Sequence, residues 1–354
     1  MDRLPKASVL AVLLVALSVA IAATSRVAAA VDPPPLPARL SDTGLFEPGS
    51  TTLLRDGVLP FSPQYPLWSD GTQKRRWIHL PPGTAIDAVA PDAWQFPVGT
   101  RLWKEFRHGR AIETRYIERL DNGHWRFAAY VWDEKGRDAV LAPEQGAVLE
   151  AGPAGRYLVP SRTDCLACHE GSAVPVLGFS ALQLSSDRDP LAPHADPART
   201  GQVDLAYLVA TGRLVNLPPA LLATPPRIAS RSPVERAALG YLHGNCGHCH
   251  DPAGALDALD LVLAQRADPG ADSVARVRQS LLDRESRFRP HGLPNPRRVA
   301  LDATSPSTLV LRLESTSPLV RMPPLGVQLV DDEGVALVRR WINEERHNHE
   351  EARR

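Results

Sequence analysis

Residues 112–132 read Ile-Glu-Thr-Arg-Tyr-Ile-Glu-Arg-Leu-Asp-Asn-Gly-His-Trp-Arg-Phe-Ala-Ala-Tyr-Val-Trp, and this stretch predicts a β-hairpin. Residues 112–118 and 125–132 are rich in aromatic and β-branched side chains, and polar residues alternate in parts of them, which is typical of strands. Residues 121–123, Asp-Asn-Gly, lie between the two runs, where a hairpin loop needs positive φ. We therefore expect an antiparallel strand pair.

The β-rich pattern extends on both sides of this hairpin. Residues 76–80 have the composition of a further strand, and Gly136 is placed to close a second turn. Residues 40–160 therefore predict a small antiparallel sheet or sandwich. Six of the seven tryptophans fall in this region, namely Trp68, Trp77, Trp94, Trp103, Trp125 and Trp132. They predict either a packed aromatic core or an aromatic binding face. The basic stretches 74–76 and 104–107 are either a docking patch or a solvated face.

Two C-x-x-C-H motifs, at residues 165–169 and 246–250, use every cysteine of the chain. In such a motif both thiols bond covalently to a haem, and the histidine is an axial ligand of its iron. The predicted attachment residues are Cys165, Cys168, Cys246 and Cys249, and the predicted iron ligands include His169 and His250. A zinc site and a thioredoxin-like redox pair are the alternatives. Zinc sites space their cysteine pairs by about 15 to 20 residues, whereas these pairs lie about 80 apart.

The amino terminus has the pattern of a secretory signal peptide. Arg3 and Lys6 precede a largely apolar run over residues 7–24, and residues 28–30, Ala-Ala-Ala, supply a cleavage site. The run is short for a membrane span. We therefore expect export to the periplasm, with an uncleaved membrane anchor as the alternative. Export would normally pair cysteines as disulfides, but the motif histidines indicate that haem captures the thiols.

Composition excludes several other classes of function. Lys plus Arg and Asp plus Glu both number 40, so the chain has no basic excess for nucleic acid or anionic lipid. No nucleotide-binding glycine loop or catalytic serine arrangement is present. The length fits two or three domains, and 34 prolines imply many irregular connections.

Two helices are predicted toward the carboxy terminus. Ser232, Pro233 and Glu235 have the spacing of a capping box with proline at the first helical position, so a helix should run from there toward the second motif. Residues 331–333, Asp-Asp-Glu, place acidic side chains in the first turn of another helix. Its apolar face would consist of Val335, Leu337, Val338, Trp341 and Ile342.

Between these helices lies Met322, followed by two prolines that would stiffen its turn. It is the only methionine left after removal of a signal peptide, so no more than one haem can have a methionine ligand. A thioether is a soft donor that raises the reduction potential of haem iron. The alternative is a methionine that fills a gap in the core. The order of helix, C-x-x-C-H motif, Met-Pro-Pro turn and final helix resembles a class I cytochrome c domain over residues 232–345, with an insertion between the motif and Met322.

The sixth ligand of the first haem is not fixed by any motif. A histidine, a lysine, water or no ligand are all compatible with the sequence. His194 is favoured by its distance from the motif, and His243 and His79 are alternatives. Residues 204–209 suggest one helix in this region, ending near Gly212.

The whole chain also resembles a family of exported proteobacterial dihaem c-type cytochromes. The resemblance rests on residues 67–71 (Leu-Trp-Ser-Asp-Gly), on residues 94–100 (Trp-x-Phe-Pro-x-Gly-Thr), on both haem motifs and on the Met-Pro-Pro turn. Family membership implies two covalent haems c, electron transfer in the periplasm and redox protein partners. It does not supply the identity of a partner.

The predicted fold class is α+β and multidomain, with a β-rich antiparallel amino-terminal region followed by mainly α-helical cytochrome c-type haem domains. The expected segments are a signal peptide (1–30), a proline-rich linker (31–39), a β-rich domain (40–160), a first haem segment (161–231), a class I cytochrome c-like domain (232–346) and a tail (347–354).

The predicted function is single-electron transfer between redox partners, which favours a carrier over a catalyst. One alternative is a peroxidase-like enzyme with an open first haem, for which Glu170 and Asp187 are available as acid or base. The other is a binding module in residues 31–160 whose haems deliver electrons to a bound partner.

Overall fold

A six-stranded antiparallel sheet lies at the centre of the computed structural model, which describes residues 34–172, 174–197, 201–254, 256–268 and 270–354. The expected signal peptide lies outside these residues. The strand order in the sheet is β1-β2-β4-β5-β6-β7. The strands are β1 (Val58–Pro60), β2 (Gln73–His79), β3 (Ile86–Asp87), β4 (Arg101–His108), β5 (Arg110–Arg119), β6 (Trp125–Trp132), β7 (Ala139–Leu141), β8 (Ala147–Leu149), β9 (Tyr157–Val159) and β10 (Leu214–Val215). β8 pairs with β9, and β10 pairs in parallel with β3.

The predicted hairpin is confirmed as β5 and β6. Their register runs from Glu113 opposite Val131 to Arg119 opposite Trp125. Gly123 in the connecting loop has a φ of 82°, which is the left-handed conformation that glycine adopts without steric cost. Gly136, with a φ of 65°, occupies the turn between β6 and β7. The turn residues and the strand composition therefore predicted these elements correctly.

The two faces of the sheet bury different sets of side chains, because residues alternate sides along a strand. One face packs beneath a short 3-10 helix, Leu40–Thr43, through an aromatic cluster of Trp77, Trp103, Tyr116, Tyr130 and Trp132. The Trp103 Nε1 donates to the Thr43 hydroxyl at 2.9 Å. For these tryptophans the packed-core interpretation is correct. The opposite face carries Ile78, Leu102 and Ile117 toward the rest of the chain.

The predicted helix starts are also confirmed. Ser232 caps a helix by accepting from the Glu235 amide, and Asp331 caps the last helix by accepting from the Gly334 amide. The helices are α1 (Arg162–His169), α2 (Leu205–Ala210), α3 (Ala220–Ala223), α4 (Pro233–Cys246), α5 (Ser273–Leu281), α6 (Thr308–Leu313) and α7 (Asp332–Ala352), with a second 3-10 turn at Asp257–Leu259. α4 packs against α7, with the Tyr241 ring against Gly334.

The expectation of a mainly α-helical carboxy-terminal cytochrome region is wrong. Only 24% of the structure is helical, and the dominant architecture is the antiparallel sheet. One physical reason is the run of prolines between α5 and α7, since proline lacks the amide donor that a helix interior needs. They are Pro290, Pro294, Pro296, Pro306, Pro318, Pro323 and Pro324. Isolated bridges hold this segment instead, including Leu282 to Val299 and Glu285 to Arg297.

The second reason is that the helices share a core with the sheet. Ile78 and Leu102 of the sheet, Leu239 of α4 and Trp341 of α7 belong to one continuous buried cluster. Pro35–Arg354 accordingly form one compact unit. Among the described residues, no helix combines the length and the apolar character needed to cross a membrane.

Candidate cofactor site

Residues from both C-x-x-C-H motifs line one cavity of about 500 Å³. It lies on the face of the sheet that carries Leu102 and Ile117. The first motif contributes Cys165, Cys168 and His169, and the second contributes His248 and Cys249. This volume lies within the roughly 300–1,000 Å³ of pockets that bind drug-sized ligands and cofactors. The structure therefore brings together two motifs that are far apart in the sequence.

The first motif lies on helix α1. Ser161 and Asp164 form a capping box, in which the Ser161 hydroxyl accepts from the Asp164 amide and the Asp164 carboxylate accepts from the Ser161 amide. On the resulting helix α1, residues three and four positions apart share a face. Cys165, Cys168 and His169 therefore all reach the cavity.

His169 has the tautomer that iron ligation requires. Its Nδ1 lies 2.6 Å from the carbonyl oxygen of Pro175. A carbonyl oxygen can only accept, so Nδ1 carries the proton and Nε2 keeps a free lone pair. Burial lowers the pKa of His169 to about 4, which keeps the ring neutral at physiological pH. The ring centroid lies 5.0 Å from that of Phe127 on β6.

The second motif reaches the cavity only in part. Cys249 and His248 line it, whereas Cys246 packs against the hydrophobic core at the end of α4, where burial raises the pKa of its thiol to about 12. His250 is 8% exposed, and its buried Nδ1 has no hydrogen-bond partner in the described part of the chain. Burial lowers the pKa of His250 to about 4. His250 itself does not line the cavity.

The two motifs touch each other. The Cys249 Sγ lies 3.9 Å from the carbonyl oxygen of Ala167, although 82 residues separate them. The hydrogen bond with Cys249 lowers the pKa of the Cys168 thiol, and His248 adds to the effect. Beside this contact, the Ser172 hydroxyl donates to the His248 carbonyl oxygen at 3.4 Å. All four cysteines are free thiols.

Leu67, Trp68 and Ser69 line the cavity, and two long-range contacts fix the stretch 67–71 to which they belong. The backbone amide of Trp68 donates to the Asn245 side-chain oxygen at 2.7 Å. The Asp70 carboxylate accepts from the amides of Gln328 and Leu329 at 2.8 and 2.9 Å. Sequence reasoning missed Asn245 and Asp70. The available signal for Asn245 was a polar residue at the end of a helix directly before a motif cysteine.

Three of the remaining candidate ligands, His194, His79 and Met322, do not line the cavity. His194 does not line the cavity, because its Nε2 lies 2.8 Å from the Asp331 carboxylate at the start of α7. His79 lies in β2 and also does not line it. The prolines that follow Met322 line the cavity, but Met322 itself does not. Its amide donates to the Arg312 carbonyl oxygen at 3.0 Å.

His243 lines the cavity in the opposite tautomer from His169. The Gln265 amide donates to His243 Nδ1 at 3.1 Å, so in a neutral ring the proton lies on Nε2. Burial lowers the pKa of His243 to about 4. This tautomer makes His243 a hydrogen-bond donor and disfavours coordination of iron through Nε2.

The residues present fit a haem at the first motif, since two thiols and an imidazole with a free Nε2 line the cavity. Across the described ranges, no group of three or more His, Cys, Asp or Glu side chains is arranged to hold a bare metal ion.

Comparisons with protein-family models, with curated proteins and with solved structures found no match. The resemblance to exported dihaem cytochromes therefore stays a prediction.

Proposed function

We propose that this protein is a dihaem c-type cytochrome that transfers single electrons between redox protein partners. The observation that carries the proposal is the convergence of both C-x-x-C-H motifs on one cavity, with contact between them at Cys249 and Ala167. Surface cysteine pairs with no common function would have no reason to meet in this way.

The sequence supplies two cysteines and a histidine at each motif, and at the first motif all three line the cavity. Cys165 and Cys168 would hold one haem with His169 as its axial ligand. Cys246 and Cys249 would hold the other, with His250 as an axial ligand and Met322 as the candidate second one. When bound, each haem supplies an iron that cycles between the ferric and ferrous states. The protein's own part is to fix the ligands and exclude water.

The contact between the motifs supports electron transfer between the two sites. Cys168 and Cys249 are the second cysteines of their motifs, and each bonds to one haem edge in a c-type attachment. Because the Cys249 Sγ contacts the carbonyl oxygen of Ala167, the residue directly before Cys168, the attached edges would lie close together. A methionine ligand at one site only would raise that potential relative to the other and give the flow a direction.

The site of action that we propose is the periplasm, on the basis of the signal-peptide pattern in residues 1–30. The same maturation that attaches haem through thioethers would prevent these thiols from forming a disulfide in an oxidising compartment.

The test is to express the full chain in a periplasm with a haem-maturation system, followed by a pyridine haemochrome assay and intact mass. We expect two attached haems per chain and a redox titration with two unequal midpoints. Colourless protein with the mass of the bare processed chain would overturn the proposal. A mass two hydrogens lower would indicate a disulfide, such as one between Cys168 and Cys249.

A second candidate function is a reaction at the first haem, and His243 is the observation that favours it. Its Nε2–H would be available in the cavity as a donor to a bound substrate, which a simple carrier does not need. A first haem that is high spin and binds carbon monoxide or peroxide would favour this enzyme. Two low-spin haems that bind neither would favour the carrier.

A further inference from the structure

We propose that Arg76, Lys104 and Arg115 form a binding site for the carboxylate groups of the haem attached at the first motif. The inference rests on the proposed function and names the residues that receive the polar edge of that cofactor. The sheet places these three cations next to one another on neighbouring strands.

The three residues form one cross-strand row. Arg76 on β2 lies directly opposite Lys104 on β4, and Lys104 lies directly opposite Arg115 on β5. All three line the cavity. Like charges directly opposite each other destabilise an antiparallel pair. The row therefore needs compensating anions, either from the protein or from a group bound in the cavity.

Among the described residues, carboxylates form ion pairs with two of the three cations, and Lys104 feels the charge of Glu113 without a direct ion pair. Asp196 lies 3.5 Å from Arg76, which is 6% exposed, and Glu113 holds Arg115 through two hydrogen bonds of 2.9 and 3.2 Å. Lys104 has no hydrogen bond or ion pair in the described part of the chain.

The Lys104 ammonium lies over an aromatic ring. Its Nζ lies 5.0 Å from the ring centroid of Phe106. Burial, together with the charges of Arg76 and Arg115, holds the pKa of Lys104 well below its usual range. Lys74 adds a further positive charge beside the row. An anion at the row would relieve this unfavourable environment.

The Arg115 end of the row is close to the first motif. The His169 ring contacts Phe127, which lies opposite Ile117, and Ile117 is on the same face as Arg115 and two residues away. The charge of Arg115 also acts on the Cys165 thiol. The end of the row at Arg115 therefore lies beside the attachment residues.

Arg115 is one end of the row and Arg76 is the other. Neighbouring strands are about 4.8 Å apart, so Arg76 lies roughly 10 Å from Arg115 across the sheet. In haem the two carboxylates are on the edge opposite the vinyl groups that form the thioethers. A haem fixed at Cys165 would thus direct its carboxylates toward Lys104 and Arg76, where charge-assisted hydrogen bonds can form.

The experiment compares Lys104→Gln and Arg76→Gln with the wild type and with Arg75→Gln, all in the haem-loaded full chain. Arg75 is the matched control, because it is the neighbouring cation on β2 and is exposed. The readouts are the midpoint potential of each haem and the propionate bending band in the resonance Raman spectrum. A nearby positive charge disfavours ferric iron, so we expect Lys104→Gln and Arg76→Gln to lower one midpoint and to shift the band. Arg75→Gln should leave both unchanged.

Lys104→Arg keeps the charge and completes the test. If Lys104→Gln fails to load the first haem, restored loading in Lys104→Arg supports the site. Failure of both variants to load, or loading of both with a wild-type midpoint and Raman band, would overturn it. Absence of haem from the wild type would instead remove the proposed function itself, so the two failures are distinguishable.

Discussion

The Nδ1 of His169 donates a hydrogen bond to the carbonyl oxygen of Pro175 at 2.6 Å, so the imidazole is held as the tautomer whose Nε2 can coordinate a metal. Pro175 lies six residues after His169, so the bond links the motif histidine to the segment that follows α1. It orients the ring toward the cavity without any contribution from a bound group. The His169 ring is therefore fixed in one tautomer before any group binds in the cavity.

Replacement of His169 by alanine should remove the axial imidazole from one haem. We expect His169→Ala to lose that haem or to convert it to a high-spin species, as measured by a pyridine haemochrome assay and visible absorption. His194→Ala is the control, because His194 contacts Asp331 outside the cavity. A spectral change in His194→Ala of the same kind would show instead that His194 coordinates iron.

Removal of the Asn245 side chain should loosen the segment that holds Trp68 at the cavity. Asn245 is 3% exposed and accepts from the Trp68 amide, so Asn245→Ala leaves a buried donor without its partner. We expect a loss of about 1 to 3 kcal/mol in the free energy of unfolding, measured by urea denaturation. Asn343→Ala, at an exposed position of α7, should change it by less than about 0.5 kcal/mol. Equal effects of the two variants would contradict this account.

A methyl group at position 240 should be excluded by an aromatic ring. A Cβ on Gly240 would lie 2.0 Å from Cε1 of Tyr65, and Tyr65 is itself held by a hydrogen bond to Asp189. We expect Gly240→Ala to lower stability by about 1 to 3 kcal/mol in thermal unfolding, despite the better helix propensity of alanine. Gly270→Ala meets only a flexible carboxylate at 3.4 Å and is the matched control. An unchanged melting temperature in Gly240→Ala would refute the close approach.

The carboxylate of Glu345 should make stability depend on pH. Burial alone would raise the pKa of Glu345, but hydrogen bonds from Arg278 and Arg231 and their charges lower it below the ordinary 4.5. A lowered pKa in the folded state contributes stability above about pH 4.5, and this contribution is lost as the pH falls through the folded pKa. The wild type should therefore lose stability in acid.

Glu345→Gln tests this linkage. The variant should be less stable than the wild type at pH 7 by about 2 kcal/mol, since hydrogen bonds to a charged group are lost. The difference should narrow as the pH falls from about 4.5 through the lowered folded-state pKa, where the wild-type carboxylate becomes protonated. Urea denaturation at pH 7 and pH 3 measures it. A difference that stays constant from pH 7 to pH 3 would argue against a lowered pKa at this position.

Local chemistry in the sequence determined much of the secondary structure. The β5–β6 hairpin follows from strand composition and from Gly123, which takes the left-handed conformation that its turn requires. The starts of α4 and α7 follow from the capping residues Ser232 and Asp331. Each of these features depends on residues a few positions apart, so the sequence alone contains the physical information that predicts it.

Only the tertiary structure decided what surrounds the cavity. The contact of Cys249 with Ala167, the tie between Asn245 and Trp68, and the cation row across β2, β4 and β5 all join residues that are distant along the chain. The same holds for the carboxy-terminal region, which shares the core of the sheet and does not form a separate helical domain. Such contacts depend on which apolar faces are buried together, and periodicity and turn chemistry describe one segment at a time.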